Sequence, residues 1–348
     1  MIIFWVIFFT AFFGTLYVMP HSIRKLRENN YVVKDMYKYD KPIIPTNSGI
    51  IVIFVSLIAI SFLPLLIRLL SSIGTEDYSK YDLSETSLAF LLVVSIYALY
   101  GLVDDLVDIG RKLKFLIPIV FSFPLISVVR IESIFIPLIG MLELSEVAFF
   151  DFSWEDIFRI TIIPIYVMVV SNLVNMHSGY NGLQSGLSLI LISAILFKSW
   201  IDNILSDVIP VAAFLGAILA HLYYNFYPSK VFEGNIGSLL FGSIIGSLIV
   251  VQKYWYFGFF ILIPHTFNFL LWIIWLSLMR SRPDLYLEKD GIHKKFGSVN
   301  EKGILIVPNR LTLKWIPNYY FDLNEKQSVI ICYGITFFFC VLGLILIN

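Results

Sequence analysis

Charge is scarce in this sequence. Only 14% of its 348 residues are Asp, Glu, Lys or Arg, against about 25% in soluble globular chains. A basic excess is missing too. Lys and Arg number 25 and Asp and Glu 25, which excludes a nucleic-acid-binding protein marked by net positive charge. Cysteine is almost absent. Cys332 and Cys340 fall in one apolar stretch near the C-terminus, which argues against a disulfide framework and a zinc site. Internal repeats, low-complexity tracts and a polar region long enough to stand alone are also missing. The apolar share of 58% excludes disorder, collagen and coiled coil. What remains is an all-α integral membrane protein forming a single polytopic domain over residues 1–348.

A membrane-spanning helix needs about 20 mostly apolar residues. The sequence predicts ten spans, at 2–19, 48–70, 86–103, 115–129, 157–174, 186–199, 209–226, 236–251, 255–279 and 327–347. The fourth and sixth are short. The stretch 131–156 reads as an external loop or small hairpin, because five acids crowd 143–156. The first span lacks a basic leading segment and a small-residue cleavage site, so it is read as a retained helix and not a signal peptide. Arg24, Lys25 and Arg27 follow it, which favours an N-terminus outside.

The distribution of basic residues tests that orientation. The segments placed inside are 20–47, 104–114, 172–186, 227–235 and 280–326. They hold 19 of the 25 Lys and Arg, whereas the acids divide 13 inside to 12 outside. Bias confined to Lys and Arg is the positive-inside pattern. Ten spans then leave both termini outside.

Polar groups at span ends are expensive, and four such stretches share the predicted inner face. The first runs from Gly101 through Asp104, Asp105 and Asp108 to Lys114. Adjacent carboxylates repel and persist beside a cation or a base. Two carboxylates and a lysine at a membrane surface suit a Mg²⁺–phosphate site, although a solvated span end accounts for them about equally well. The second, Asn172 to Gly186, has amides, a hydroxyl, glycines and no Lys or Arg. Its plain reading is a helix cap and tight turn. Its functional reading is close backbone approach to a ligand. His177 reads as a hydrogen-bonded structural residue, since no other His stands at ligand spacing. The third, His221 to Ser238, contains an aromatic belt. Its Phe232-Glu233-Gly234-Asn235 run, followed at once by another span, also offers a helix start to an anion. The fourth is Arg280-Ser-Arg282-Pro283. Ordinary membrane anchoring explains it, and a clamp on phosphate or sugar oxygens is the alternative.

Taken together, these stretches resemble the polyprenyl-phosphate N-acetylhexosamine-1-phosphate transferases, above all their dolichyl-phosphate GlcNAc-1-phosphotransferase branch. The resemblance follows the chain in order. Asp35-Met-Tyr-Lys38 with Ile44-Pro45 and Gly49 is similar to the family's first inner loop. Gly101 to Lys114 resembles its Asp-Asp motif, and Asn172 to Gly182 its Asn-rich loop. Tyr224 to Phe232 is similar to the stretch before the metal residue, and Pro264 to Leu270 to the ninth span.

The resemblance implies ten helices and a cytoplasmic active site. It implies transfer of a sugar-1-phosphate, GlcNAc-1-phosphate above others, from a UDP-sugar to a polyprenyl or dolichyl phosphate, with release of UMP. The cofactor would be Mg²⁺, with Mn²⁺ as substitute. By position, Asn175 and Asn235 would be metal ligands and Lys114 would bind the pyrophosphate. Gly179, Asn181 and Phe232 would hold the uracil. Arg280 and Arg282 would contact phosphate or the N-acetyl sugar. Asp104 and Asp105 would orient or deprotonate the acceptor phosphate. A homodimer is compatible with the resemblance but has no sequence signal of its own. Eukaryotic-type motifs in a short chain rich in Ile, Lys and Asn suggest an archaeal cell membrane and a role in N-glycosylation.

Two residues depart from the family pattern. Asn235 stands where the family has Asp, which removes a charge from the expected metal shell; Glu233 is a candidate to compensate. Thr46 stands where the eukaryotic enzyme has a carboxylate. Three rival readings are a membrane transporter, a CDP-alcohol phosphotransferase and a non-catalytic scaffold. The first expects paired halves, which are not seen. The second lacks most of its motif here, and the third leaves the shared face of the polar stretches unexplained.

Overall fold

The computed structural model describes residues 2–73, 78, 81–136, 140–144, 147–149, 152–282 and 296–347. Helix α1 (Ile2–Glu28) outruns the predicted first span. Its last turn carries Lys25 and Arg27, and basic side chains complement the negative end of the helix dipole. A short antiparallel hairpin follows, β1 (Val32–Lys34) on β2 (Ile43–Pro45). Helices α2 (Gly49–Ser61) and α3 (Leu63–Ile73) form one apolar column of 25 residues. It is interrupted at Phe62, next to Pro64, whose ring removes a backbone donor. Helix α4 (Glu85–Val107) starts at Ser84, whose hydroxyl accepts from the Ser87 N–H, and ends where Asp108 turns left-handed at φ 52°.

The predicted span 115–129 is not one continuous helix. It is split into α5 (Arg111–Leu116), a 3₁₀ turn (Ile117–Ser122) and α6 (Phe123–Val128), with Pro118 and Pro124 at the joints. The expected hairpin region holds two strand pairs, β3 (Ser133–Ile136) with β4 (Gly140–Glu143) and β5 (Val147–Phe149) with β6 (Phe152–Ser153). A Ser153–Asp156 capping box then opens α7 (Trp154–Met176), satisfying orphan amides at its start. Next come α8 (Leu183–Ile201), α9 (Val211–Asn225) and α10 (Gly234–Val251). Helices α11 (Trp255–Ile261) and α12 (Ile263–Ser281) are bent by 60° at Leu262. After β7 (Ser298–Val299), β8 (Leu305–Ile306) and α13 (Ile316–Tyr320), helix α14 (Glu325–Leu346) closes the chain.

Among the described residues, seven segments are long and apolar enough to cross a membrane, or eight if the bent α11–α12 pair is one span. Two of the ten predicted spans, 115–129 and 209–226, form shorter apolar helices, Ile117–Val128 and Val211–Asn225. At about 1.5 Å per residue, the 15 residues of α9 reach only about 22 Å.

Helix α10 is the axis of the bundle. It packs on α4, α7, α2 and α8, and 83% of its apolar window is buried. Gly and Ser recur along it, and small residues let helix backbones approach closely inside apolar bundles. The tightest crossings lie at its N-terminus. A Cβ on Gly101 of α4 would stand 2.5 Å from the Asn235 carbonyl oxygen, and one on Gly49 of α2 would stand 2.3 Å from the Gly237 nitrogen. Both obstacles are backbone, so neither can swing aside.

Gly101→Ala is therefore expected to force α4 away from α10, at a cost of about 1–3 kcal/mol for overpacking. Gly334→Ala in α14, where nothing lies within 4 Å, is the control. Thermal unfolding of the detergent-solubilised protein checks this, with a lowered midpoint for Gly101→Ala and an unchanged one for Gly334→Ala.

Candidate active site

A cavity of about 320 Å³ opens where the ends of α4, α7 and α10 meet the first hairpin. Its lining includes Asp105, Asn175, Gly179, Phe232 and Asn235, five of the ten residues singled out from the sequence. Asp105, at the end of α4, accepts from the backbone N–H of Asn235 at 3.1 Å and of Ile236 at 3.2 Å. A carboxylate on the free amides of a helix start is favoured by hydrogen bonding and by the dipole. Phe232 and Glu233 are held from the other side. The Ser48 N–H donates to the Phe232 carbonyl at 3.1 Å and the Gly49 N–H to that of Glu233 at 3.0 Å, while the Phe232 N–H donates to Pro45.

Glu233 also lines the cavity, and its Oε2 accepts from Asn225 Nδ2 at 2.9 Å. Burial pushes its carboxyl up to about 7, against the opposing effect of hydrogen bonds from its own backbone and from Asn225. Gln184 and Ser238 complete the polar wall, the Ser238 hydroxyl donating to Gln184 Oε1 at 2.8 Å. The donors on these walls are carboxylate, amide and hydroxyl oxygens. That chemistry suits Mg²⁺, a hard cation that takes one or two carboxylates and completes its shell with water and phosphate. Among the described residues no three His, Cys, Asp or Glu side chains gather as a metal cage, so amide oxygens and substrate would have to supply the rest.

The other five predicted residues lie elsewhere. Asp104 is buried, paired with Lys114 Nζ at 2.8 Å, and accepts from the Ile109 N–H at 3.0 Å. Neither Asp104 nor Lys114 is among the cavity's lining residues. Asn181, expected on the uracil, is fully buried. Its Nδ2 donates to Asp35 Oδ2 at 3.0 Å, and its Oδ1 accepts from Lys38 Nζ and the Ser229 N–H, each at 2.9 Å. The amide is spent inside the fold. Arg280 borders a separate surface hollow with Ile273, Leu276, Ser277 and Ser281. Arg282 lies exposed just past the end of α12. Pro283 and much of the expected loop 280–326, namely 283–295, lie outside the described residues.

Sequence reasoning missed three parts of this region. One is the ion cluster around Lys38, which pairs with Asp35 at 2.9 Å and with Glu325 of α14. Glu325 also accepts from the Asn181 N–H at 2.6 Å. The Asp35–Lys38 half stood in a quoted motif, but nothing in the sequence announces Glu325. The second is the Gln184–Ser238 pair, whose signal was two polar side chains on otherwise apolar helices. The third is Lys314. Its ammonium donates to the Ser178 carbonyl at 2.6 Å and stands over the rings of Tyr37 and Tyr180 at 5.3 and 5.1 Å. Burial lowers its pKa to about 8, against raising effects of Glu325 and Cys332. His177 and His265 are buried with ring centroids 4.7 Å apart, but the hydrogen bonds expected of His177 are missing: both of its ring nitrogens are buried without a partner among the described residues.

A family model described as glycosyl transferase family 4 matches residues 87–253. A protein of Saccharolobus solfataricus is 30% identical over 346 residues, covering 97% of this chain and 94% of its own length. The chain belongs to glycosyl transferase family 4. That relative carries the provisional name UDP-N-acetylglucosamine–dolichyl-phosphate N-acetylglucosaminephosphotransferase. A Sulfolobus acidocaldarius protein of the same provisional name is 28% identical, covering 96% of this chain and 93% of its own length. A phospho-N-acetylmuramoyl-pentapeptide-transferase of Campylobacter lari, 28% identical, covers 71% of this chain and 72% of its own length. The family match spans α4 to α10, the helices whose ends build the cavity.

The Asp104–Lys114 pair is open to a direct test. Removing one partner of a buried ion pair leaves an uncompensated charge. Asp104→Asn and Lys114→Met are each expected to lower the unfolding midpoint. The double variant should lose less than the sum, with a coupling of about 1–3 kcal/mol in a double-mutant cycle.

Proposed function

We propose that this family 4 enzyme transfers GlcNAc-1-phosphate from UDP-GlcNAc to a polyprenyl phosphate of the dolichyl type and releases UMP. The observation that carries this reading is the convergence of Asp105, Asn175, Gly179, Phe232 and Asn235 on one cavity. They come from three stretches far apart in sequence. The names of the Saccharolobus and Sulfolobus relatives support the donor and the acceptor. The orientation that fits places this cavity on the cytoplasmic side of the cell membrane and both termini outside, since 19 of 25 basic residues fall in the segments that the sequence assigns to the inside. The product is then the first intermediate of lipid-linked oligosaccharide synthesis for N-glycosylation.

An oxygen of the acceptor phosphate attacks the β-phosphorus of the donor. The bond from that phosphorus to the oxygen bridging the α-phosphorus breaks, and UMP leaves with the electron pair. Phosphoryl transfer depends chiefly on positioning and charge neutralisation. The acceptor is already an anion at neutral pH, so no strong base is needed. Asp105, Asn175 and Asn235, with Glu233 beside them, would hold Mg²⁺, which offsets charge on the diphosphate when bound. Phe232 and the Gly179 backbone form the nucleotide's wall. Asp104 pairs with Lys114, 29% of whose side chain stays accessible to an anion. Asp105 fixes the start of α10. Direct attack is favoured over an aspartyl-phosphate intermediate, because Asp104 is tied to a lysine and Asp105 to two amides.

The decisive measurement is UMP release by the purified chain with dolichyl phosphate and a panel of UDP-N-acetylhexosamines. Release is expected only when lipid acceptor is present. It should be fastest with UDP-GlcNAc, be abolished by EDTA and be restored by Mg²⁺ or Mn²⁺. Asp105→Asn should slow it at least 100-fold. Absence of UMP release with lipid and Mg²⁺ supplied would favour the transporter reading.

A further inference from the structure

Lys314 belongs to none of the sequence motifs, lies between β8 and α13, and reaches back about 135 residues to the Asn-rich loop. Its ammonium donates to the Ser178 carbonyl at 2.6 Å. Ser178 and Gly179 share one trans peptide unit, in which the carbonyl and the N–H point in opposite directions. The carbonyl points at Lys314, which is not among the cavity's lining residues, whereas Gly179 is. The Gly179 N–H therefore points away from Lys314, and among the described residues it has no protein acceptor.

Two further features hold this arrangement. Gly179 adopts φ +101°, which side chains rarely permit, and a Cβ there would meet Lys314 Nζ at 2.6 Å. The ammonium is also flanked by the faces of Tyr37 and Tyr180, whose rings meet edge to face at 4.7 Å. A cation between two rings gains electrostatically from both, and both tyrosines line the cavity. One ammonium thus ties together a carbonyl and two side chains of the cavity wall.

We propose that Lys314 is a positioning residue that aims the Gly179 N–H at an acceptor oxygen of the bound uridine nucleotide. This rests on the nucleotide reading above. Lys314 touches the backbone behind the wall and not the substrate, so its loss acts on nucleotide binding before it acts on turnover. Arg at this position keeps a charged donor and a partner for the two rings, whereas Met keeps the volume and loses both.

The test is calorimetric titration of UMP into the full-length, detergent-solubilised chain with Mg²⁺, for wild type, Lys314→Met and Lys314→Arg. Each is paired with an unfolding midpoint taken without nucleotide. Lys314→Met is expected to weaken UMP binding at least 10-fold and to raise the KM for the UDP-sugar similarly, with kcat changed less than about 3-fold. Lys314→Arg should bind UMP within about 3-fold of wild type. A Lys314→Met chain that binds UMP like wild type overturns the proposal, even if its midpoint falls. Should Lys314→Met fail to fold, Lys314→Arg decides. Retained binding supports the proposal, and a 10-fold loss at an unchanged midpoint overturns it. If the wild-type chain binds no UMP, the nucleotide reading itself fails, a result distinct from a selective loss in Lys314→Met.

Discussion

Two backbone amides at the start of α10 donate to one carboxylate at the end of α4, and the cavity is built around that contact. It closes only because Gly101 lets the two backbones meet without an intervening side chain. A helix start in an apolar bundle must find acceptors for its orphan N–H groups, since hydrocarbon offers none. Asp105 supplies them. The same carboxylate thereby brings Asn235, Glu233 and Phe232 into register with Asn175 and Gly179. Substrate-facing chemistry and helix capping are one structural event here.

Around this contact the polar groups differ in how fully they are paired. His177, in the Asn-rich loop, has both ring nitrogens buried without a hydrogen-bond partner among the described residues. Others behind the wall are saturated. Asn181 exchanges hydrogen bonds with Asp35, Lys38, Ser229 and Glu325, and Asp104 is spent on Lys114 and Ile109. A buried polar network that is fully satisfied rigidifies its surroundings, and a partly satisfied one is costly. These bonds, with the apolar cluster of Tyr37, Tyr180, Leu305 and Trp315, give the loops on the cavity side a fixed shape.

Much of the fold was readable as apolar length. The strongly apolar stretches became the long helices, and 131–156, read as an external loop or small hairpin, holds two strand pairs among its described residues. Apolar length said less at 115–129, where Pro118 and Pro124 divide the run into α5, a 3₁₀ turn and α6. It fell short again at 209–226, which folds as a helix of only 15 residues. At the site, the motifs supplied five residues that line one cavity, but not which of their neighbours point away from it. Asp104 and Asp105 are adjacent, so on a helix they point about 100° apart; only the second reaches the cavity. Asn181 was quoted for its residue type, while its direction depends on Asp35 and Lys38 arriving from another loop. Glu325 and Lys314 were invisible because a single charge in a polar loop or at a helix start carries no periodic signal.

Helix α14 is the least buried of the seven long apolar helices among the described residues, with only 28% of its apolar window buried, yet its first residue, Glu325, is locked to Lys38 and to the backbone of Asn181. It stands like a mast, stepped firmly at its foot and loosely stayed along its length. Any tilt imposed by the thickness of the surrounding bilayer is levered onto that foot, one residue pair away from the loop that carries Gly179.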